Sequence, residues 1–160
     1  RAAGLPVFVP AGYEADDVIA TLSTQSWPEP TSVIGAEKDL LQLLPLGHLS
    51  LYGRSGLMDR EHCVNKFGVE PELMCQWQAL AGDPADGIPG CPNVGAGRAT
   101  ILLRRFGSLE GVLVASDAKI LSLKGIGQKS LDGIRSWNWK ESLDLVTLLR
   151  DLPLELSAIL

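Results

Sequence analysis

The chain has 160 residues, 46% apolar and 21% charged, which suits one good core or two small subdomains and excludes a disordered polypeptide. No apolar run approaches the roughly 20 residues of a membrane-spanning helix and no charged–apolar–small segment marks a signal peptide, so no membrane partner is expected. Net charge is −5 but uneven: residues 1–86 hold 12 acidic and 5 basic side chains, residues 87–160 hold 7 and 9, so the first half suits cations and the second suits phosphates.

In chain order, "LPVFV" (5–9) reads as a buried parallel strand. A helix from Tyr13 or Glu14 follows and stops at the prolines of "SWPEP". "TSVIG" (31–35) is a second strand, "EKDLLQLL" (37–44) a short helix ending at Pro45, and "HLSLY" (48–52) a third strand. The β-α-β-α-β order over 5–52 predicts a parallel α/β sheet. From "MDREHCVNKFGV" onward the signals are helical, through "EPELMCQWQALAG" and then 98–106, 108–115, 128–136 and 139–150. Gly/Pro-rich turns fall at 82–97 and 124–127. Trp137 and Trp139 stand two apart and cannot share a helix face, so one packs and one faces solvent. His48 and His62 read as structural or surface residues. Cys63, Cys75 and Cys91 lack C-x-x-C spacing, which predicts free thiols in a reducing compartment and no zinc site.

"GYEADDVIATL" (12–22) places Glu14, Asp16 and Asp17 within four positions at a helix start. First-turn acids favour the helix dipole, but Glu14 and Asp17 share a face and repel. A bound cation turns that repulsion into attraction. Ligands of α/β sheets bind beyond the carboxyl ends of the strands. Glu14, Asp16 and Asp17 follow the first expected strand, and Glu37 and Asp39 follow the second, so both groups belong on one rim. Asp83 and Asp86 in "AGDPADGIPG" form a third pair in a loop after a helix. Seven carboxylates without histidine suit hard, oxygen-loving ions, two of which can clamp a phosphodiester.

"PGCPNVGAGRATILLRRFGSL" holds a glycine hairpin. Asn93, Gly95 and Gly97 tolerate positive φ, and such a turn can present backbone N–H groups and a helix N-terminus to a DNA phosphate. Arg98, Arg104 and Arg105 add charge. "KGIGQKSL" repeats the G-x-G theme with Lys124 and Lys129, as a second phosphate contact or a plain turn.

Taken together, "GYEADDVIATL", "EKDLLQLL", "KFGVEPEL", "ALAGDPADGIPGCPNVGAGRATILLRRFGSLEGVL" and "DLPLEL" resemble the 5′-nuclease family, which includes the 5′→3′ exonuclease domain of bacterial DNA polymerase I and the flap endonucleases. The resemblance implies a PIN-like α/β nuclease core over residues 1–58 and a helical DNA-binding region over 59–160, with a helix-three-turn-helix at about 72–106. It implies two Mg²⁺ ions, replaceable by Mn²⁺, held by Glu14, Asp16, Asp17, Glu37, Asp39, Asp83 and Asp86. The first five of these would be catalytic, and a K⁺ ion would accompany the helix-three-turn-helix. The implied DNA contacts are Asn93, Gly95, Gly97, Arg98, Arg104, Arg105, Lys124 and Lys129. The implied activity is cleavage of DNA at 5′ ends and flaps in replication and repair, with a DNA polymerase as partner in cis or trans, at the nucleoid in the cytoplasm of a bacterium, with an organelle or nucleus as the alternative for any other source.

The sequence departs from the family pattern in places. The usual T-G-D-K-D reads "GAEKD", G-I-G-P-K-T-A reads "NVGAGRA", and "DNIPG" reads "DGIPG". The chain opens on Arg1, so a further Asp-bearing strand, a second Asp and a basic arch would precede it. The 160-residue chain is therefore expected to bind metal and cut poorly on its own. Two other readings stay open: a structure-specific DNA-binding module with weak catalysis, and a metal-dependent RNase.

Overall fold

The computed structural model describes residue 7 and residues 11–25 and 30–154. Apart from Val7, the expected strand at 5–9 lies outside those residues, as do most of the proline stop and the last two residues of "DLPLEL". Helix α1 (Ala15–Thr24) buries Val18, Ala20 and Thr21. Strand β1 (Thr31–Ile34) turns Thr31 and Val33 inward and Ser32 and Ile34 outward, the period-two pattern of a half-covered strand. It pairs in parallel with β2 (Leu49–Gly53), Thr31 opposite Leu49 and Ile34 opposite Tyr52.

The sheet is mixed, where the sequence predicts a parallel one. A two-residue turn, Arg54–Ser55, sends the chain back as β3 (Gly56–Leu57), antiparallel to β2. Gly53 leaves room for Met58 beside the return: a Cβ there would stand 2.5 Å from Met58 Sδ. The segment after β1 is a 3-10 helix, Lys38–Leu46, with Pro45 inside it instead of ending it. Proline near the end of a short helix has few intrahelical bonds to break. Leu40, Leu41 and Leu43 of this segment are fully buried.

The remainder is helical. Helix α2 (Arg60–Phe67) is capped by Asp59, which accepts from the His62 N–H at 2.8 Å. A 3-10 turn, Pro71–Leu73, leads into α3 (Met74–Ala81), and α4 (Ala96–Phe106) follows the glycine hairpin. Helix α5 (Leu109–Val114) starts at Ser108, and α6 (Asp117–Leu121) is a short helix the sequence does not announce. Helices α7 (Gln128–Ser136) and α8 (Trp139–Val146) close the described chain. Helix α3 is the central element: Met74, Trp77, Gln78, Ala79 and Leu80 are all buried, and α3 packs on α4, α8 and the Lys38–Leu46 segment.

Helix α8 ends four residues before the expected 150. Gln42 takes over the backbone: its Nε2 donates to Val146 O at 3.0 Å and its Oε1 accepts from Leu148 N–H at 3.2 Å. Trp137 is buried and donates to Ser142 Oγ at 2.9 Å; Trp139 is half-buried against the core, not exposed as predicted. His48 lies just before β2 and its ring nitrogens sit 3.2 and 3.0 Å from the Leu46 and Ser23 carbonyls, a structural role. All three cysteines are free thiols. Among the described residues no helix is long and apolar enough to cross a membrane.

Candidate active site

The first acidic group sits at the start of α1. Glu14 is its N-cap in extended conformation with a side chain that caps nothing, and Asp16 and Asp17 stand in the first turn. Glu37 holds the same place before the Lys38–Leu46 segment, again without capping, and Asp39 is in that segment's first turn. None of these five side chains accepts from a neighbouring helix N–H group; Asp17 Oδ1 instead accepts from the Leu149 N–H at 2.9 Å and so holds the segment after α8.

The third group is positioned by a closed loop. Helix α3 ends at Gly82 (φ +74), whose backbone touches that of Gly90 (φ +62) so closely that a Cβ on Gly90 would lie 2.5 Å from Gly82 N. Asp83 and Ile88 exchange backbone hydrogen bonds of 2.9 and 2.8 Å across the loop. Asp83 is thereby buried and Asp86 exposed at the tip.

These segments meet. Glu14, Asp16, Asp17, Glu37, Asp39 and Asp86 line one cleft of about 650 Å³, together with Gln78 and residues 144–149 of α8 and its extension. The carboxylates act on one another: the Asp16 pKa is raised by burial, then by Asp39, Glu37, Glu14 and Asp17 in that order. Asp83 does not line the cleft. It is held by the Lys38 ammonium, whose hydrogen bond is the main cause of its lowered pKa.

Three participants escape a sequence reading. Lys38 contacts Asp83 and stands 3.4 Å from Asp86 Oδ2 and 3.8 Å from Asp39 Oδ1. Gln78, buried on α3, donates to Asp39 Oδ1 and keeps its own Oε1 without a partner. Asp144 adds an exposed carboxylate to the cleft wall. Gln78 leaves a trace in the sequence as the one long polar residue inside "WQALA". Lys38 and Asp144 leave none.

Among the described residues no three acidic, histidine or cysteine groups already stand together as a metal cage. The donor set nonetheless fits a hard dication: it is all oxygen, its members repel one another around Asp16, an acceptor atom of Gln78 stands idle beside Asp39, and one cation, Lys38, already sits among three of the acids.

On the helical side, the turn 91–95 carries Asn93 at φ 57, while Gly95 is the extended N-cap of α4 and Gly97 lies within α4. Positive φ is thus needed at Asn93, not at the two glycines. A Cβ on Gly95 or Gly97 would meet nothing within 4 Å, so their backbone is open to approach. Helix α7 repeats the arrangement with Gly127 as N-cap, and neither N-cap glycine has a side chain to cap with. The two hairpins lie side by side. Ser130 Oγ donates to Asn93 O at 2.9 Å, and Gly133 lets Pro92 approach so closely that a Cβ would fall 1.9 Å from Pro92 O.

Arg98, expected to face DNA, turns into this junction: Nε donates to Gly125 O at 2.8 Å and Nη1 to Asn93 O at 3.2 Å. Arg104 Nε donates to Gly68 O at 2.5 Å, and Arg105 lies 5.9 Å from the Phe106 ring. Lys124 and Lys129 are exposed beside the second hairpin.

Comparison with known proteins agrees with this architecture. The family model "5'-3' exonuclease, N-terminal resolvase-like domain" matches residues 1–68, and "5'-3' exonuclease, C-terminal SAM fold" matches 69–159. DNA polymerase I of Pseudomonas aeruginosa is 38% identical over 162 residues, covering 97% of this chain and 18% of that protein. The 5'-3' exonuclease of Aquifex aeolicus is 32% identical over 160 residues, covering 98% and 53%. The chain thus spans about half of that exonuclease and less than a fifth of the polymerase. The zinc-bound 5'-exonuclease of bacteriophage T5 superposes with TM-score 0.75 at 22% identity, covering 92% of this chain and 55% of its own. A T5 flap endonuclease complex with DNA and metal ions gives 0.70 at 24%, covering 95% and 54%. With one family model spanning more than half of its length and the other the rest, the chain belongs to the 5'-3' exonuclease family, in an α/β fold of the T5 exonuclease type with a small mixed sheet and a SAM-like helical region.

Proposed function

We propose that the protein carrying this chain is a Mg²⁺-dependent 5′→3′ exonuclease and 5′-flap endonuclease acting on DNA, with Mn²⁺ able to replace Mg²⁺. The observation that carries this reading is the convergence of Glu14, Asp16, Asp17, Glu37, Asp39 and Asp86, from three separate segments, on one cleft. Glu14, Asp16, Asp17 and Glu37 would hold one dication, and Asp39, Asp83 and Asp86 the other. Such ions supply charge neutralisation at the scissile phosphate and a more acidic water. Gln78 fixes the Asp39 carboxylate, and the Gly82–Gly90 contact fixes the loop of Asp83 and Asp86.

The helical half would grip the duplex at some distance from the cut. The open backbone at Gly95 and Gly97, the uncapped start of α7, and Lys124 and Lys129 suit phosphates, which position a protein on DNA without reading its sequence. Arg98 would act by setting the spacing of the two hairpins. A DNA-binding module that cuts weakly is the second reading, favoured by Lys38 standing where a metal would compete for the acids.

Parallel digestion of a 5′-flap DNA duplex, a blunt DNA duplex and an RNA duplex in Mg²⁺ tests the proposal. Preferential release of the flap supports it. Equal or faster cutting of RNA contradicts it, and tight flap binding without cutting selects the second reading.

A further inference from the structure

Lys38 lies between two acids in sequence and among three in space. Its ammonium contacts the Asp83 carboxylate and reaches Asp86 Oδ2 at 3.4 Å and Asp39 Oδ1 at 3.8 Å. The acids cannot easily turn away. Asp83 is 7% exposed, and its Oδ1 accepts from the Ala85 N–H at 3.2 Å; Asp39 is held by Gln78. By contrast, Lys38 stands on a flexible four-carbon stem whose side chain is 31% exposed, so it has somewhere to go. No basic side chain forms an ion pair with Glu14, Asp16, Asp17 or Glu37 among the described residues.

We propose that Lys38 is a resident counter-ion of Asp39 and Asp86 at one end of the cleft and of Asp83 buried behind it, and that a divalent metal binds that end only by displacing its ammonium. The inference rests on the divalent-metal reading above. An ammonium and a dication within about 4 Å of the same carboxylates repel strongly, so the two compete. The acids at this end are gathered on Lys38, in keeping with the lack of a ready three-acid cage among the described residues. The two ends of the cleft then differ: the Asp16 end takes metal first and the Lys38 end second, more weakly. In the metal-free protein Lys38 offsets the like charges that the second end would otherwise confront.

Calorimetric titration of Mg²⁺ into the full-length protein carrying this chain tests this without any cleavage assay. The wild-type protein should show a tighter and a weaker site. Lys38→Met should tighten the weaker one by about tenfold, and Lys38→Arg should leave it near wild type. Lys38→Gln, whose amide can still donate to the buried Asp83, serves if the methionine variant does not fold, and should tighten the site likewise. Acylation of surface amines followed by mass spectrometry gives an independent readout: Mg²⁺ should speed modification of Lys38 and leave Lys124 unchanged. Equal or weaker Mg²⁺ binding by both neutral variants, or Lys38 reactivity indifferent to Mg²⁺ in a chain that binds it, overturns the inference and leaves the metal reading standing. Absence of Mg²⁺ uptake by the wild type and variants alike removes the metal reading, and this inference with it.

Discussion

Asp16 and Asp83 respond to pH with opposite signs. Burial and neighbouring acids raise the Asp16 pKa above its unfolded value. The folded state therefore holds that proton more firmly, and stability falls as pH rises from the ordinary carboxylate value through the raised one. Asp83 is lowered, chiefly by Lys38, so its contribution is full above the ordinary value and is lost as pH falls through the lowered one. Asp16→Asn should remove the fall in melting temperature that accompanies ionisation of Asp16 as pH rises, and raise the metal-free melting temperature at neutral pH by roughly 2–4 °C. Asp83→Asn should lower it at neutral pH by abandoning Lys38. Thermal melts across the carboxylate range decide both, and a stabilised Asp83→Asn would mean that the Lys38 contact contributes nothing.

At the scale of elements, the hairpin pair and the acid loop carry the clearest expectations. If Arg98 spaces the hairpins, Arg98→Lys keeps the charge but loses the fork, and flap-duplex affinity should fall by about 1 kcal/mol with an unchanged salt slope. Lys124→Ala and Lys129→Ala should each reduce the slope of log K against log salt by about 0.9 if each meets a phosphate. Salt titrations that show the reverse would exchange the roles of the arginine and the lysines. Gly90→Ala drives a Cβ into the Gly82 backbone at positive φ and should cost about 2–4 kcal/mol in chemical denaturation. An unaffected Gly90→Ala would remove the tight loop as the holder of Asp83 and Asp86. Much of this was legible beforehand: α1, the acid groups and the two glycine turns are written in short windows of periodicity and turn chemistry. Strand β3 was not, because two residues carry no periodic signal. Nor was the ion pairing of Lys38 or the junction role of Arg98, because both depend on partners 45 and 27 residues away.

Across the whole molecule, the stretch after α8 ties the α/β part to the helical part. Gln42 bonds Val146 and Leu148 by its side chain, its carbonyl accepts from Arg150 at 3.1 Å, and Thr21 Oγ1 lies 3.3 Å from Leu149 O and from Leu152 N. Gln42→Leu would strand one buried and one half-buried backbone group and should cost about 1–3 kcal/mol, with the two parts melting less cooperatively. Calorimetry showing a single unshifted transition would contradict that coupling. The central claim concerns the cleft itself, which seven carboxylates line. The most direct test is cleavage of a 5′-labelled flap duplex by the full-length protein carrying this chain, wild type against Asp16→Asn, in Mg²⁺ and in EDTA. The expected result is cleavage by the wild type in Mg²⁺, none in EDTA, and a loss of about 100-fold or more in Asp16→Asn with duplex binding retained; cleavage that survives EDTA, or that Asp16→Asn leaves undiminished, would contradict it.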